Sequence, residues 1–424
     1  MSIDQIQITV QPSCADAPST GTMTVAGARD AIRAALQPLM HDEVVPIRNA
    51  LGRVLARDCL STIDVPSHTN SAMDGYALAG ADLPSDGVRE YPVVATVMAG
   101  SRQPVQCGAG ECVRIMTGAP MPDGTDTVVM QEQVELVDGQ RIRIDARHRA
   151  GQNVRQAGED IAAGSCVFAA GRLLRAADIG VMASLGFGEV SVRRRPKVAF
   201  FSTGDELRSI GQPLAEGEVY DSNRYTLYAM LLECGAEAID FGVVRDDPEA
   251  LSRAFTEAAA IADVVVTSGG VSVGEADYTK TILERHGEMS FWSIAMKPGR
   301  PLTFGKLGAA TFFGLPGNPV AVMLTFMQFV RPALRYLASG NWPQTLTVPV
   351  ASAVDLKKRP GRFEFLRGII ERHDGELRVR PAGAQGSGIL TSMSRANCFI
   401  LLPESCAGVS VGDAVQVQPF DTEL

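Results

Sequence analysis

The first 22 residues carry no hydrophobic period and are polar with Pro, Ser and Thr, so they read as a loose tail. Helical spacing sets in over 28–36, with Thr24 placed to cap it and Pro38 ending the regularity. Between 60 and 158 the period shortens. Runs at 90–98, 127–137 and 141–144 alternate with Gly, Pro and Asp and predict a small β-rich domain. A helix is expected over 172–186, with Gly186 just past its end. Arg193-Arg194-Arg195-Pro196 marks a boundary, and the arginines read as a solvated linker in preference to a binding patch.

Segment 197–337 has a different grammar. Strand 197–202 precedes helix 223–233, then strand 238–244, helix 248–260, strand 263–267 and helix 278–286. Apolar strands near 291–296, 302–304 and 311–315 lead to a helix from Pro319. Such alternation predicts a parallel or mostly parallel sheet covered by helices, with ligands at the carboxyl ends of its strands. The last 85 or so residues return to short strands with Gly turns, predicting a small β-barrel or sandwich.

Composition narrows the class. The 424 residues have a net charge of −9, with 46% hydrophobic and 21% charged residues. That is an ordinary globular balance, with length for about two to four domains. The acidic balance argues against nucleic acid as main partner. The first basic residue is Arg29, so no signal peptide is expected. The uncharged run 307–330 is broken by Pro316-Gly317-Asn318-Pro319, so it reads as buried core and not as a membrane span. The eight cysteines form no CxxC pair, so a reduced cytoplasmic setting is expected, without a zinc site or disulfide framework.

Candidate chemistry lies in the strand-to-helix loops. Thr267-Ser268-Gly269-Gly270-Val271-Ser272-Val273-Gly274-Glu275-Ala276-Asp277 follows a Val-rich strand. Its glycines admit close backbone approach by an anion, while the plain alternative is a connection with Asp277 as N-cap. Gly270 to Gly274 also fits GxSxG, but the longer exit from the strand and the distant histidines argue against a hydrolase triad. Glu206 and Asp246 lie at other strand exits, Asp247 being the cap before Pro248. With Asp277 they would make a hard-cation site suited to Mg2+ and phosphate oxygens. Lys297-Pro298-Gly299-Arg300-Pro301 presents two cations in a rigid turn. Leu315-Pro316-Gly317-Asn318-Pro319 is another turn, with Asn318 as cap, whose amides could hold an anion.

Six ordered motifs then carry a resemblance. Asn70-Ser71-Ala72-Met73-Asp74-Gly75-Tyr76-Ala77, Arg114-Ile115-Met116-Thr117-Gly118-Ala119-Pro120 and Ser202-Thr203-Gly204-Asp205-Glu206-Leu207 come first. The Ser268 to Tyr278 loop, Lys297-Pro298-Gly299 and Leu315-Pro316-Gly317-Asn318-Pro319 follow. Together they closely resemble the bacterial molybdopterin molybdenumtransferase family, related to the E domain of gephyrin, over about residues 24–420.

That resemblance implies an α/β plus β architecture: a flexible tail (1–22), a split linker domain (23–60 and 159–195) and a β-rich domain (61–158). A three-layer α/β molybdopterin-binding domain (196–338) and a C-terminal β-barrel (339–424) complete it. It implies magnesium-dependent insertion of molybdate into adenylylated molybdopterin, releasing AMP and molybdenum cofactor. Glu206, Asp246 and Asp277 would hold the metal, and Ser268, Gly269, Gly270, Ser272 and Gly274 would cradle the pterin phosphate or pyrophosphate. Pro316, Gly317 and Asn318 would add a second binding turn. Lys297, Arg300, Arg367 and Ser387 would face an anion, either molybdate or substrate phosphate. Asp74 and Thr117 would close the pocket from the other subunit of a homodimer. The adenylyltransferase of the preceding step and cofactor-accepting enzymes are implied partners. Relatives often carry lysine where this chain has Ser293. Either Arg300 supplies that charge or oxyanion affinity is weaker. The alternatives are molybdopterin adenylyltransferase, which lacks the flanking domains, and a non-catalytic molybdopterin-binding scaffold.

Overall fold

The computed structural model describes residues 22–269, 285 and 287–421. It divides into two units, one built from the N-terminal segment up to Glu43 with Arg193–Leu424, the other from Val44–Val192.

In the first unit, six strands form a mixed sheet in the order Glu237–Val244, Lys197–Thr203, Val264–Ser268, Ala310–Leu315, Pro301–Leu307, Gly287–Ser293. The first four are mutually parallel; Pro301–Leu307 runs antiparallel to both of its neighbours, so Gly287–Ser293 points the same way as the first four. Helices cover both faces, so the central strands bury alternate residues in opposite directions. Val198, Phe200, Val264, Val266 and Phe313 pack with Leu227 and Leu231 of helix Ser222–Glu233. Ala199, Phe201, Val265 and Phe312 pack with Leu251 and Phe255 of helix Pro248–Ile261. Double burial explains why these strands read as continuous apolar runs. The uncharged run 307–330 is accordingly split between a central strand and helix Pro319–Thr325. No helix among the described residues is long and apolar enough to cross a membrane.

Downstream, strands Phe363–His373, Glu376–Pro381, Val348–Ser352, Ala414–Pro419 and Cys398–Leu402 pair in a ring that closes through the first and last. The C-terminal region is therefore a five-stranded barrel, the first of the two expected forms. Around the sheet, expected and observed bounds agree within a few residues, except that the strand expected over 291–296 is two, Gly287–Ser293 and Met296–Lys297. The helix expected over 278–286 lies outside the described residues but for Arg285.

Helix Val25–Ala35 is capped by Thr24, whose hydroxyl accepts from Gly27 N at 3.0 Å. Of the arginine run beside the unit boundary, Arg195 is exposed as a linker residue would be, whereas Arg193 and Arg194 are ion-paired. Arg194 makes two bonds to Asp263, at 2.6 and 2.7 Å, and Arg193 meets Asp42 at 2.5 Å. Burial opposes the charge of Asp263, but the bonds from Arg194 and Lys197 N hold its carboxyl below the usual range.

The second unit holds a six-stranded sheet in the order Thr127–Met130, Gly75–Leu78, Cys112–Ile115, Val88–Val97, Arg141–Asp145, Glu135–Asp138. The single run expected over 127–137 is two strands separated by a 3-10 turn, Gln131–Gln133. This turn begins where Gln131 N is drawn to Asp74 O, at 3.1 Å. The helix expected from residue 172 starts at Ala176, because Asp178 caps it by accepting from Arg175 N while also binding the Arg172 guanidinium.

His148 of this unit is expected to make stability depend on pH. Its side chain is 3% exposed, and its Nε2 has no hydrogen-bond partner among the described residues. Burial pushes the imidazole pKa down, against a smaller opposing pull from Asp145. The folded state thus keeps the ring neutral where the unfolded chain already takes a proton. Stability contributed by the neutral ring is complete above about pH 6.5 and is lost progressively below it. Urea melts of the protein are expected to weaken over that interval, and His148→Gln to flatten the dependence. An unchanged pH profile in that variant contradicts the assignment.

Candidate functional site

The strand register decides which loops meet. Ser202 pairs with Ser268, Ser268 with Leu315, and Thr203 with Val244, so all four parallel strands end at one level. Strand Gly287–Ser293 runs the same way, and Ser293 lies opposite Pro301. The loops bearing Glu206, Asp246, Gly269, the Lys297–Arg300 turn and Pro316–Asn318 therefore share the carboxyl edge of the sheet. Gly270, Ser272, Gly274 and Asp277 lie outside the described residues.

Glu206 and Asp246 follow adjacent strands, and both are exposed. Glu206 folds back on Gly204, where an added Cβ would stand 2.6 Å from its Oε2. Asp246 N donates to Asp205 Oδ1 at 3.4 Å, tying the two loops together. Asp247 accepts from Ala250 N and so caps its helix as expected, Pro248 filling the first helical position. Among the described residues, no group of three His, Cys, Asp or Glu side chains is gathered for a metal. Glu206 and Asp246 supply two sets of oxygen donors of the hardness Mg2+ takes, and the third expected carboxylate, Asp277, is not among the described residues.

Beneath these loops lies a buried polar layer. Asn223 Nδ2 donates to Ser268 Oγ at 2.8 Å and to Gly317 O at 2.7 Å, joining two of the loops. Ser202 Oγ donates to Asp221 Oδ1 at 3.0 Å, and that oxygen also caps helix Ser222–Glu233 by accepting from Arg224 N. Burial pushes the Asp221 carboxyl pKa up despite these bonds. Thr203 Oγ1, Thr267 Oγ1, Asp221 Oδ2 and Asn223 Oδ1 are buried without a hydrogen-bond partner among the described residues. Orphaned polar atoms cost free energy and concentrate at functional sites. They gather at the strand ends, directly under the strand-exit loops, and Asp221 Oδ2 also lies 3.7 Å from Arg224 Nε. Asp221 and Asn223 were not among the expected site residues. The Asp-Ser-Asn sequence at the start of the helix was the available signal, but by itself it reads only as a cap.

Gly269 is fixed by its surroundings. Its φ is +90°, a Cβ there would meet Thr203 O at 2.6 Å, and its N–H donates to Leu315 O at 3.2 Å. That amide is consequently spent within the sheet edge and does not face a phosphate. Asn318 occupies the N-cap position before Pro319 but makes no side-chain cap bond, in contrast to its expected role, leaving its amide group uncommitted to the helix.

The cationic turn is stiff. Ile294 N donates to Arg300 O at 2.8 Å, and Gly299, at φ +92°, would bring an added Cβ within 2.8 Å of Thr325 Cγ2. Arg300 Nε donates to Ser293 Oγ at 2.9 Å, so the serine holds the guanidinium in place. Lys297 is exposed, with Nζ 3.9 Å from Glu364 Oε2. Met296 and Lys297 pair with Phe363 and Glu364 of the barrel, and Ser387 O accepts from Val320 N at 3.1 Å. The barrel thus reaches the same edge. Arg367, however, is 1% exposed, with Nε bonded to Ser392 Oγ and Nη2 to the carbonyls of Ala384 and Gly386. Burial pulls its pKa down to about 10. Its described bonds hold the 384–386 loop, which positions Ser387.

In the other unit, Asp74 and Thr117 meet directly. Asp74 Oδ1 accepts from Thr117 N at 2.7 Å and from Thr117 Oγ1 at 2.8 Å. These bonds, the backbone one foremost, hold the carboxyl below the usual range and keep it charged.

Three family descriptions match the chain: "MoeA N-terminal region (domain I and II)" over 23–186, "Probable molybdopterin binding domain" over 199–336 and "MoeA C-terminal region (domain IV)" over 349–420. A molybdopterin molybdenumtransferase of Haemophilus influenzae is 41% identical over 381 residues, covering 89% of this chain and 94% of the relative. One from Nostoc is 39% identical, covering 88% of each. The crystal structure of a Pyrococcus horikoshii molybdopterin biosynthesis protein aligns over 94% of this chain and 100% of its own, at 29% identity and TM-score 0.82.

Proposed function

The chain belongs to the molybdopterin molybdenumtransferase family, and from that premise we propose that it inserts molybdate into adenylylated molybdopterin, releasing AMP and molybdenum cofactor. The observation that carries this reading is the shared carboxyl edge, along which the strand-exit loops present carboxylates, two cations and a buried polar layer.

Each group has a physical task. Lys297 and Arg300 attract the polyanionic substrates to a protein of net negative charge, because the local field and not the total recruits a ligand. Glu206 and Asp246, with Asp277, would hold Mg2+; when bound it would neutralise charge on the pyrophosphate and on departing AMP. Asn223 keeps the Ser268 and Gly317 turns at a fixed spacing, so the substrate meets a pre-formed surface. Ser293 orients Arg300, which supports this arginine as the source of charge at a position where relatives often carry lysine.

The proposal includes a homodimer in which the Asp74–Thr117 pair of one subunit completes the site of the other, together with the four-region organisation that the resemblance implies. A half-buried carboxylate kept charged at a turn supports a role toward a ligand or metal there. The purified protein is expected to release AMP from adenylylated molybdopterin only when molybdate and Mg2+ are both present. Consumption of ATP with free molybdopterin would instead identify an adenylyltransferase, and binding without turnover a scaffold.

A further inference from the structure

Away from the sheet edge, the first unit holds a cavity of about 530 Å3 between helix Val25–Ala35, the 342–347 connection and the barrel. Its volume suits a small molecule. One wall is aromatic: Phe363 and Phe365 lie 4.7 Å apart between ring centroids, and Trp342 faces the same space, backed by Tyr336 at 5.9 Å.

The opposite wall carries a charge in an unusual setting. Helix Val25–Ala35 buries Val25, Ala28 and Ile32, which leaves Arg29 facing the cavity. Its Nε donates to Gln328 O at 3.3 Å and its Nη2 to Gln328 Oε1, both neutral acceptors. Burial pulls the guanidinium pKa down, and no described carboxylate contributes to raising it. Gln328 is itself 1% exposed, among Phe326, Phe329 and Val330, and its amide donates to Gln418 Oε1 of the barrel at 3.1 Å. It sits on a π-helical turn, Phe326–Val330, where the wider backbone accommodates an extra residue. Such turns recur at functional positions. A half-buried cation whose described bonds all go to neutral groups leaves room for the counter-charge of an anion. Glu404 also lines the cavity and disfavours a ligand bearing several negative charges.

We propose that this cavity is a second ligand site, for a planar aromatic monoanion whose ring lies among Trp342, Phe363 and Phe365 and whose carboxylate meets Arg29. The probes are 2-naphthoate and 2-naphthol, equal in ring and different in charge, titrated into the full chain by calorimetry and by Trp342 fluorescence in a Trp292→Phe background. Naphthoate is expected to bind saturably, with one site per chain and at least about tenfold tighter than naphthol. Arg29→Met should weaken naphthoate by about tenfold while leaving naphthol unchanged, with Arg29→Lys intermediate. Equal affinity for the two probes, no saturable binding, or undiminished naphthoate binding by a folded Arg29→Met chain overturns the proposal. Should loss of the Gln328 bonds unfold that variant, Glu404→Gln decides. Tighter naphthoate binding supports the site, and unchanged binding overturns it.

Discussion

Mixing a Glu206→Ala chain with an Asp74→Ala chain, each inactive alone, is expected to restore about a quarter of the wild-type rate of AMP release. The fraction follows from symmetry. Random reassortment gives about half heterodimers, and each carries one site with both residues intact and one with neither. The prediction rests on two features of the separate units. Glu206 stands at the carboxyl edge of the parallel sheet, whereas Asp74 is held charged by Thr117 on the turn before strand Gly75–Leu78. If each residue served only a site within its own chain, every chain in the mixture would lack one essential group. Heterodimers verified by mass spectrometry but without activity would therefore reject the composite site. Recovered activity in Asp74→Ala homodimers would reject the role of Asp74 itself.

Gly269→Ala is the second large effect. A methyl group there meets Thr203 O, a backbone atom that cannot rotate away, and the left-handed φ adds strain for any residue with a Cβ. Relief requires the edge to open between strands Lys197–Thr203 and Val264–Ser268, with disruption of the Gly269 N to Leu315 O bond. We expect a loss of about 2–4 kcal/mol of stability and of nearly all AMP release. Activity should be lost even at temperatures where circular dichroism shows a folded chain, because the loop carrying the expected metal ligand follows directly. A fully active Gly269→Ala variant would show that the edge tolerates displacement and is not a pre-formed surface.

Much of the fold was legible because burial leaves a local record. The central strands of the sheet are buried on both faces and so appear as unbroken apolar runs, while the helix starts carry Thr24 and Asp247 as caps and Pro319 at the first helical position. The misread stretches have a common cause. The 3-10 turn at Gln131–Gln133, the late start at Ala176 and the pairing of Arg193 and Arg194 each depend on a partner distant in space or on a side-chain cap. Hydrophobic periodicity records none of these.

The candidate site divides in the same way. Glycine, proline and carboxylate spacing indicated which loops leave the carboxyl edge and bear charge, since those residue types answer to backbone conformation and charge within a few positions. Only the tertiary structure decided that Asn223 joins Ser268 to Gly317, that Ser293 seats Arg300, and that Arg367 is sealed among carbonyls and a hydroxyl. Alone, then, the sequence determined the kinds of element, their order and the loops bearing charge, because each depends on near neighbours along the chain. Which of those charges stay accessible at the shared edge and which are sealed away was decided by strand register and side-chain packing, which bring together residues as far apart as Asn223 and Gly317.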